Sequence, residues 1–218
     1  MVGQVPARRL VLLRHGRTAW NAARRVQGQL DVEIDELGHQ QAAAAAVVVA
    51  AMRPAALWSS DSARARQTAA YVAKETGLDP TYDARLREYF LGERQGLTHE
   101  EYAALAPEEF AAFRTGDFDV VPGGERARAV ADRVRAAVGD LLAAIGPGEL
   151  GVAVSHGAAI RDAVPALLGW PVEERAALHG LTNCGWVELD QAEPGAPMRL
   201  VAYNRTATDT RISSSERV

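Results

Sequence analysis

The chain has 218 residues, enough for one domain whose core needs neither a disulfide nor a metal, and 48% are apolar against 24% charged, an ordinary globular balance. Its net charge of −4 argues against nucleic acid and anionic membranes as partners, and no apolar run approaches the roughly 18 residues needed to span a bilayer. The single cysteine, Cys184, excludes an intrachain disulfide, and with no secretory leader in view the chain is expected in the reducing cytoplasm.

Residues 10–13 form a short apolar run ahead of Arg14-His15-Gly16 and read as a buried strand ending in a loop. Residues 36–52, rich in the best helix former, predict a helix that stops before Pro54. A second strand is expected at 56–60, then a helix over 62–76 that Gly77 terminates. The stretch 86–96 reads as a loop. Residues 98–114 show helical spacing, with Pro107 starting a second short helix, and 117–124 is turn-rich. Residues 125–145 predict a long amphipathic helix. A third buried strand at 151–155 leads into a helix at 157–168. Two alternating segments, 185–190 and 198–204, form a hairpin-like pair, and a polar tail runs over 206–218.

Strands thus alternate with helices, which predicts an α/β fold with a mostly parallel sheet. Residues 93–122 are helical and lack a strand. They are expected to cross the end of the sheet as a lid-like insertion in a single domain spanning 1–218.

In open α/β sheets, ligands collect at the carboxyl ends of the strands. Three such ends carry unusual polar residues: Arg14-His15-Gly16, then Ser59-Ser60-Asp61 with Arg64 just beyond, and Ser155-His156-Gly157. A lone histidine is more often structural or superficial, and His39, His99 and His179 are assigned that role. His15 and His156 differ because both follow an apolar strand and precede a glycine. A metal site is disfavoured, since Arg14 and Arg17 flank His15 and no carboxylate or cysteine stands at ligand spacing. An anion site fits better, because guanidinium groups grip phosphate in bidentate fashion and nearby cations keep an imidazole neutral and nucleophilic. Arg8, Arg9, Arg14, Arg17, Arg24 and Arg25 crowd the first part of the chain, although most of them suit a solvated face. Glu88 is the best candidate for a proton donor, with Glu93 its rival.

The segment LVLLRHGRTAWN resembles the R-H-G-x-T-x-x-N motif of the histidine phosphatase superfamily, the phosphoglycerate mutase-like proteins. WSSDSARARQTA, RLREYFLGERQGLT, PGGE and VSHGAAIR are similar to that family's later motifs, in order and over nearly the whole chain. The resemblance implies a three-layer α/β/α sandwich and a phosphohistidine mechanism needing neither metal nor other cofactor. In it His15 is phosphorylated, and Arg14, Arg64 and His156 bind the phosphoryl oxygens. Asn21 and the Gly157 backbone assist. Glu88 protonates the leaving group and then activates water. The expected reaction is hydrolysis of a small phosphorylated metabolite; the alternatives are a phosphoglycerate mutase and, more remotely, a catalytically silent phospho-ligand binder. Within the family, RRVQGQLDVEIDELG and RLVAYN are similar to the actinobacterial glucosyl-3-phosphoglycerate phosphatases, whose substrate carries a carboxylate besides its phosphate. Arg17, Gln27 and Arg94 are the expected substrate contacts, with Arg24 and Arg25 as further cations; Arg94 stands where the family usually has tryptophan. A homodimer, paired through the alternating strand near the C-terminus, is expected from the prevalence of two-fold assemblies.

Overall fold

The computed structural model describes residues 6–208, so most of the polar tail expected at 206–218 lies outside the described residues. A six-stranded sheet forms the middle layer, in the order β3-β2-β4-β1-β5-β6. Its strands are β1 (Arg8–Arg14), β2 (Ala56–Ser59), β3 (Thr81–Tyr82), β4 (Leu150–Ser155), β5 (Trp186–Gln191) and β6 (Arg199–Arg205). The strands β3, β2, β4 and β1 run parallel, while β5 joins β1 antiparallel and β6 follows as the other half of a hairpin. The mostly parallel expectation therefore holds for four strands of six. The two-residue β3 is too short to leave a periodic signal in the sequence.

The continuous apolar runs of β1 and β4 reflect burial on both faces of a parallel sheet. Leu10 and Leu12 pack into one core, while Val11 and Leu13 pack into the other. On the first face lie α6 (Ala127–Ala143) and α7 (Gly157–Leu168), contributing Val130, Val134, Ile160 and Val164. On the second lie α2 (Glu36–Ala51) and α3 (Ala63–Thr76), contributing Ala42, Ala46, Val49, Ala65 and Ala69. The result is the three-layer sandwich.

Helix boundaries follow local chemistry. The side chain of Asp35 caps α2 by accepting from the Gly38 amide at 2.8 Å, and Gly77 ends α3 with φ +72°. A four-residue helix, α1 (Ala19–Ala22), closes on a capping box between Thr18 and Asn21 that sequence reading missed. Helix α6 starts two residues later than expected because Glu125 is committed elsewhere: its carboxylate accepts from the Phe90 amide and from Arg133. Between β3 and α6 the chain forms α4 (His99–Leu105) and α5 (Pro107–Arg114), flanked by short 3₁₀ turns at Gly92–Arg94 and Phe118–Val120.

Candidate active site

The carboxyl ends of β1, β2 and β4 converge, as parallel strands must, and bring the three polar strand ends together. His15 and His156 lie with ring centroids 5.1 Å apart. The Nδ1 atom of His15 donates to the Gly16 carbonyl at 2.7 Å, which leaves the lone pair on Nε2. Burial, and then the charges of Arg64 and Arg14, hold this imidazole well below its usual protonation range. It is therefore neutral at neutral pH.

Two arginines lie beside it. Arg64, at 1% exposure, is the unusual buried cation of α3; it donates to the carbonyls of Leu30 at 2.9 Å and Gly28 at 2.7 Å. Burial lowers its pKa to about 10, so it keeps its charge. Arg14 donates to the Leu181 carbonyl. His156 is held through Nε2 by the Ser60 hydroxyl at 2.8 Å. Burial first, then Arg64, keeps it neutral too. Among the described residues, the buried side-chain nitrogens and oxygens left without a hydrogen-bond partner are Arg14 Nε, Arg64 Nε and His156 Nδ1. All three belong to this one cluster. Buried polar groups normally find partners, so their concentration here marks a place built for an external acceptor. Among the described residues no group of three or more His, Cys, Asp or Glu is arranged to hold a metal ion.

Glu88 faces the same cavity. Its carboxylate accepts from the amides of Ala158 at 3.1 Å and Ala159 at 2.9 Å, in the first turn of α7. Its own carbonyl is fixed by Arg133 and by Gln29, each at 3.0 Å, and both donors also bind Glu125. The next residue, Tyr89, is fully buried and donates its hydroxyl to Asp162, one turn further along α7. Asp162 is fully buried as well, and receives Arg161 at 2.8 Å and Arg175 at 3.6 Å. Sequence reading missed Arg133, Gln29, Tyr89 and Asp162. Each acts across a long stretch of chain and carries no local signal.

Arg14, His15, Asn21, Arg64 and Glu88 line a cavity of about 180 Å³, while His156, Arg133, Gln29 and Asp162 stand behind that lining. Gly157 lies against Arg14, since a Cβ there would come within 3.2 Å of Nε. Gln27 lines the cavity, with its carbonyl engaged by the Thr18 hydroxyl at 3.1 Å. A larger cleft of about 420 Å³ between α6, α7 and the β5–β6 turn lacks both histidines and Glu88.

Two expected substrate contacts fall elsewhere. Arg17 is paired with Asp35 at 2.9 Å and does not line the cavity. Arg94 is held by Glu109 through two bonds of 2.8 and 3.1 Å and packs over the Tyr102 ring, so its charge is spent on tying the turn after Leu91 to α5. Conversely Arg25 and His99, one a secondary candidate and the other set aside as structural, both line the cavity wall.

Residues 10–206 match the family model described as the histidine phosphatase superfamily, branch 1. A glucosyl-3-phosphoglycerate phosphatase of Mycolicibacterium vanbaalenii is 42% identical, over 92% of this chain and 96% of that one. A probable phosphoglycerate mutase of Salmonella paratyphi C is 36% identical over 84% of each chain. Among solved structures, a mycobacterial glucosyl-3-phosphoglycerate phosphatase in complex with VO3 superimposes with a TM-score of 0.85 at 41% identity, covering 92% of this chain and all of that one.

Proposed function

Since this chain belongs to the histidine phosphatase superfamily, we propose that it is a phosphomonoester hydrolase acting through a phosphohistidine at His15. The observation that carries this reading is the set of three partnerless buried nitrogens around a neutral imidazole whose Nε2 lone pair is free. A phosphate dianion supplies acceptors for all three. Arg14, Arg64 and a His156 Nδ1–H then bind its oxygens, with Ser60 donating to His156 Nε2. Asn21 and the Gly157 backbone complete the cradle.

Glu88, which lines the cavity together with His15, carries the proton into the first step. In the first step His15 Nε2 attacks phosphorus, the ester bond breaks, and the departing alkoxide takes that proton. In the second, the Glu88 carboxylate draws a proton from water as its oxygen attacks phosphorus, and the phosphohistidine bond breaks to give inorganic phosphate. Preorganised positive charge on the arginines performs the neutralisation that a metal supplies in other phosphoryl-transfer sites.

The substrate we favour is glucosyl-3-phosphoglycerate, the compound named in a relative 42% identical and in a solved structure 41% identical, and the segment 93–122 serves as its lid. The relative named as a probable mutase sustains a second reading, isomerisation of a phosphoglycerate. Glu88 and His156 stand 68 positions apart, without the longer insertion expected of a mutase, which favours hydrolysis. The enzyme works in the cytoplasm as a homodimer joined along β6, an edge strand that leaves Leu200 and Val201 exposed. Enzyme quenched in acid after mixing with a phosphorus-labelled ester is expected to carry acid-labile, base-stable label. No label, or label persisting in His15→Ala, would overturn the mechanism.

A further inference from the structure

Behind the cavity lies a buried ionic cluster that the phosphoryl-transfer steps do not use. Asp162 has no exposure, and the side chains of its partners Arg161 and Arg175 are 13% and 16% exposed. A buried ion pair seldom adds stability over apolar residues of the same volume, and its best-attested use is to fix one arrangement. The contacts show which arrangement is fixed here.

Neighbours in a helix do not face one another. Arg161 nonetheless curls so that its Nε donates to Asp162 Oδ1 at 2.8 Å, while its Nη2 donates to the Gly116 carbonyl at 3.0 Å. Gly116 has φ +91°, and a Cβ there would collide with Arg161 Nη1, so a glycine makes the room that the guanidinium fills. The same guanidinium lies 5.3 Å from the centre of the Phe118 ring. Phe118 stands in turn 5.0 Å from the Tyr89 ring and 5.0 Å from Phe113, and all three aromatic residues line the cavity. Gly116 and Phe118 lie near the end of the lid segment 93–122.

The second oxygen of the carboxylate faces the proton donor's neighbour. Asp162 Oδ2 accepts from the Tyr89 hydroxyl, and the Glu88 carboxylate accepts from the Tyr89 amide at 3.0 Å. Burial, then Asp162, push the Tyr89 hydroxyl far above its usual range, so it stays a donor. Arg175, 3.6 Å from Asp162 and 3.9 Å from Asp117, braces the same junction. An unbroken chain of contacts therefore runs from Glu88 through Tyr89, Asp162 and Arg161 to Gly116 and Phe118.

We infer that Arg161 is a positioning residue that ties the end of the lid segment to the seat of the proton donor, so that docking of residues 116–118 and placement of Glu88 are one event. The inference rests on the phosphatase reading above for the identity of the acid, and goes beyond it by coupling that acid to the lid. Energetic coupling is reciprocal, so a change at either end is felt at the other.

The test is hydrogen exchange at the amides of Gly116 and Asp117, which donate to the carbonyls of Phe113 at 3.0 Å and Ala112 at 3.1 Å. It compares wild type, Tyr89→Phe, Arg161→Gln and the double variant. Tyr89→Phe keeps the ring against Phe118 and removes only the hydroxyl at the acid's end. It is expected to speed exchange at these amides by about threefold to tenfold, the worth of one hydrogen bond, and to add nothing in the Arg161→Gln background. Unchanged exchange in Tyr89→Phe, or the same factor in both backgrounds, overturns the inference. If Arg161→Gln fails to fold, Arg161→Lys takes its place in the cycle. A lysine keeps a cation for Asp162 but lacks the fork that also reaches Gly116. In steady-state rates Arg161→Lys is expected to lose about 10-fold in kcat/KM on an alkyl phosphate and less than about threefold on an aryl phosphate. Full activity on both esters, or equal losses, would show a charge or folding role alone and overturn the positioning. The exchange measurements need no turnover, so failure of the phosphohistidine reading, seen as absence of label at His15, leaves them decisive.

Discussion

Asp162→Asn tests how the proton donor is held. The substitution keeps the shape of the side chain but removes a charge with no solvent exposure, which receives Tyr89, Arg161 and Arg175. An amide oxygen cannot serve all three donors. Breaking a buried ion pair by removing one partner costs about 3–5 kcal/mol. Here the low end applies. The arginine side chains keep 13% and 16% exposure. Arg161 also retains the Gly116 carbonyl at 3.0 Å and the face of Phe118. A loss of about 3 kcal/mol, at a urea m-value of about 3 kcal/mol/M for a chain of this size, lowers the unfolding midpoint by about 1 M. The kinetic consequence is selective. Releasing Tyr89 loosens Glu88, and a general acid contributes about 10²–10⁴ in rate, so kcat/KM for an alkyl phosphate should fall by about 10- to 100-fold. An aryl phosphate, whose leaving group departs without a proton, should lose less than about threefold. Tyr89→Phe, which leaves Asp162 with its arginines, should show the same selectivity at a stability cost of about 1 kcal/mol. An unchanged urea midpoint, or equal losses on both esters, would refute the reasoning.

Stability should also depend on pH through the two buried histidines. His15 and His156 are held neutral in the fold, with protonation ranges well below the ordinary imidazole value, whereas the unfolded chain protonates them near pH 6.5. The unfolded state therefore binds more protons as pH falls below about 6.5, and each histidine removes up to about 1.4 kcal/mol per pH unit until its native pKa is reached. Urea titrations between pH 7.5 and 5.5 should show this decline, and His156→Asn should flatten it; an unaltered slope would contradict the assignment. Gly38→Ala ought to stabilise a helix by about 1 kcal/mol on propensity alone. Here the new Cβ would meet the Arg17 carbonyl oxygen at 2.1 Å, and the Gly38 carbonyl already packs against Gly16, whose own carbonyl orients His15. A net loss of about 2 kcal/mol and a reduced kcat are expected from chemical denaturation and steady-state rates, and a more stable, fully active variant would count against that packing.

The sequence by itself determined the strands and where chemistry sits on them. Runs such as residues 10–13 and 151–155 can only be buried on both faces, and a His-Gly step at the end of each places an imidazole on the open rim of a parallel sheet. Gly77 and Pro107 set helix limits because φ and the missing N–H are local properties. Tertiary structure alone decided which charges serve the site. A long cation takes whichever carboxylate the fold brings within reach. Arg94 went to Glu109 and Arg17 to Asp35, while Arg25, 3.9 Å from Glu101, lines the cavity. The same holds for Arg133, which fixes the Glu88 carbonyl from 45 residues away. Backbone geometry is written within a few residues of each position, but the partner of a side chain is settled only when distant segments meet.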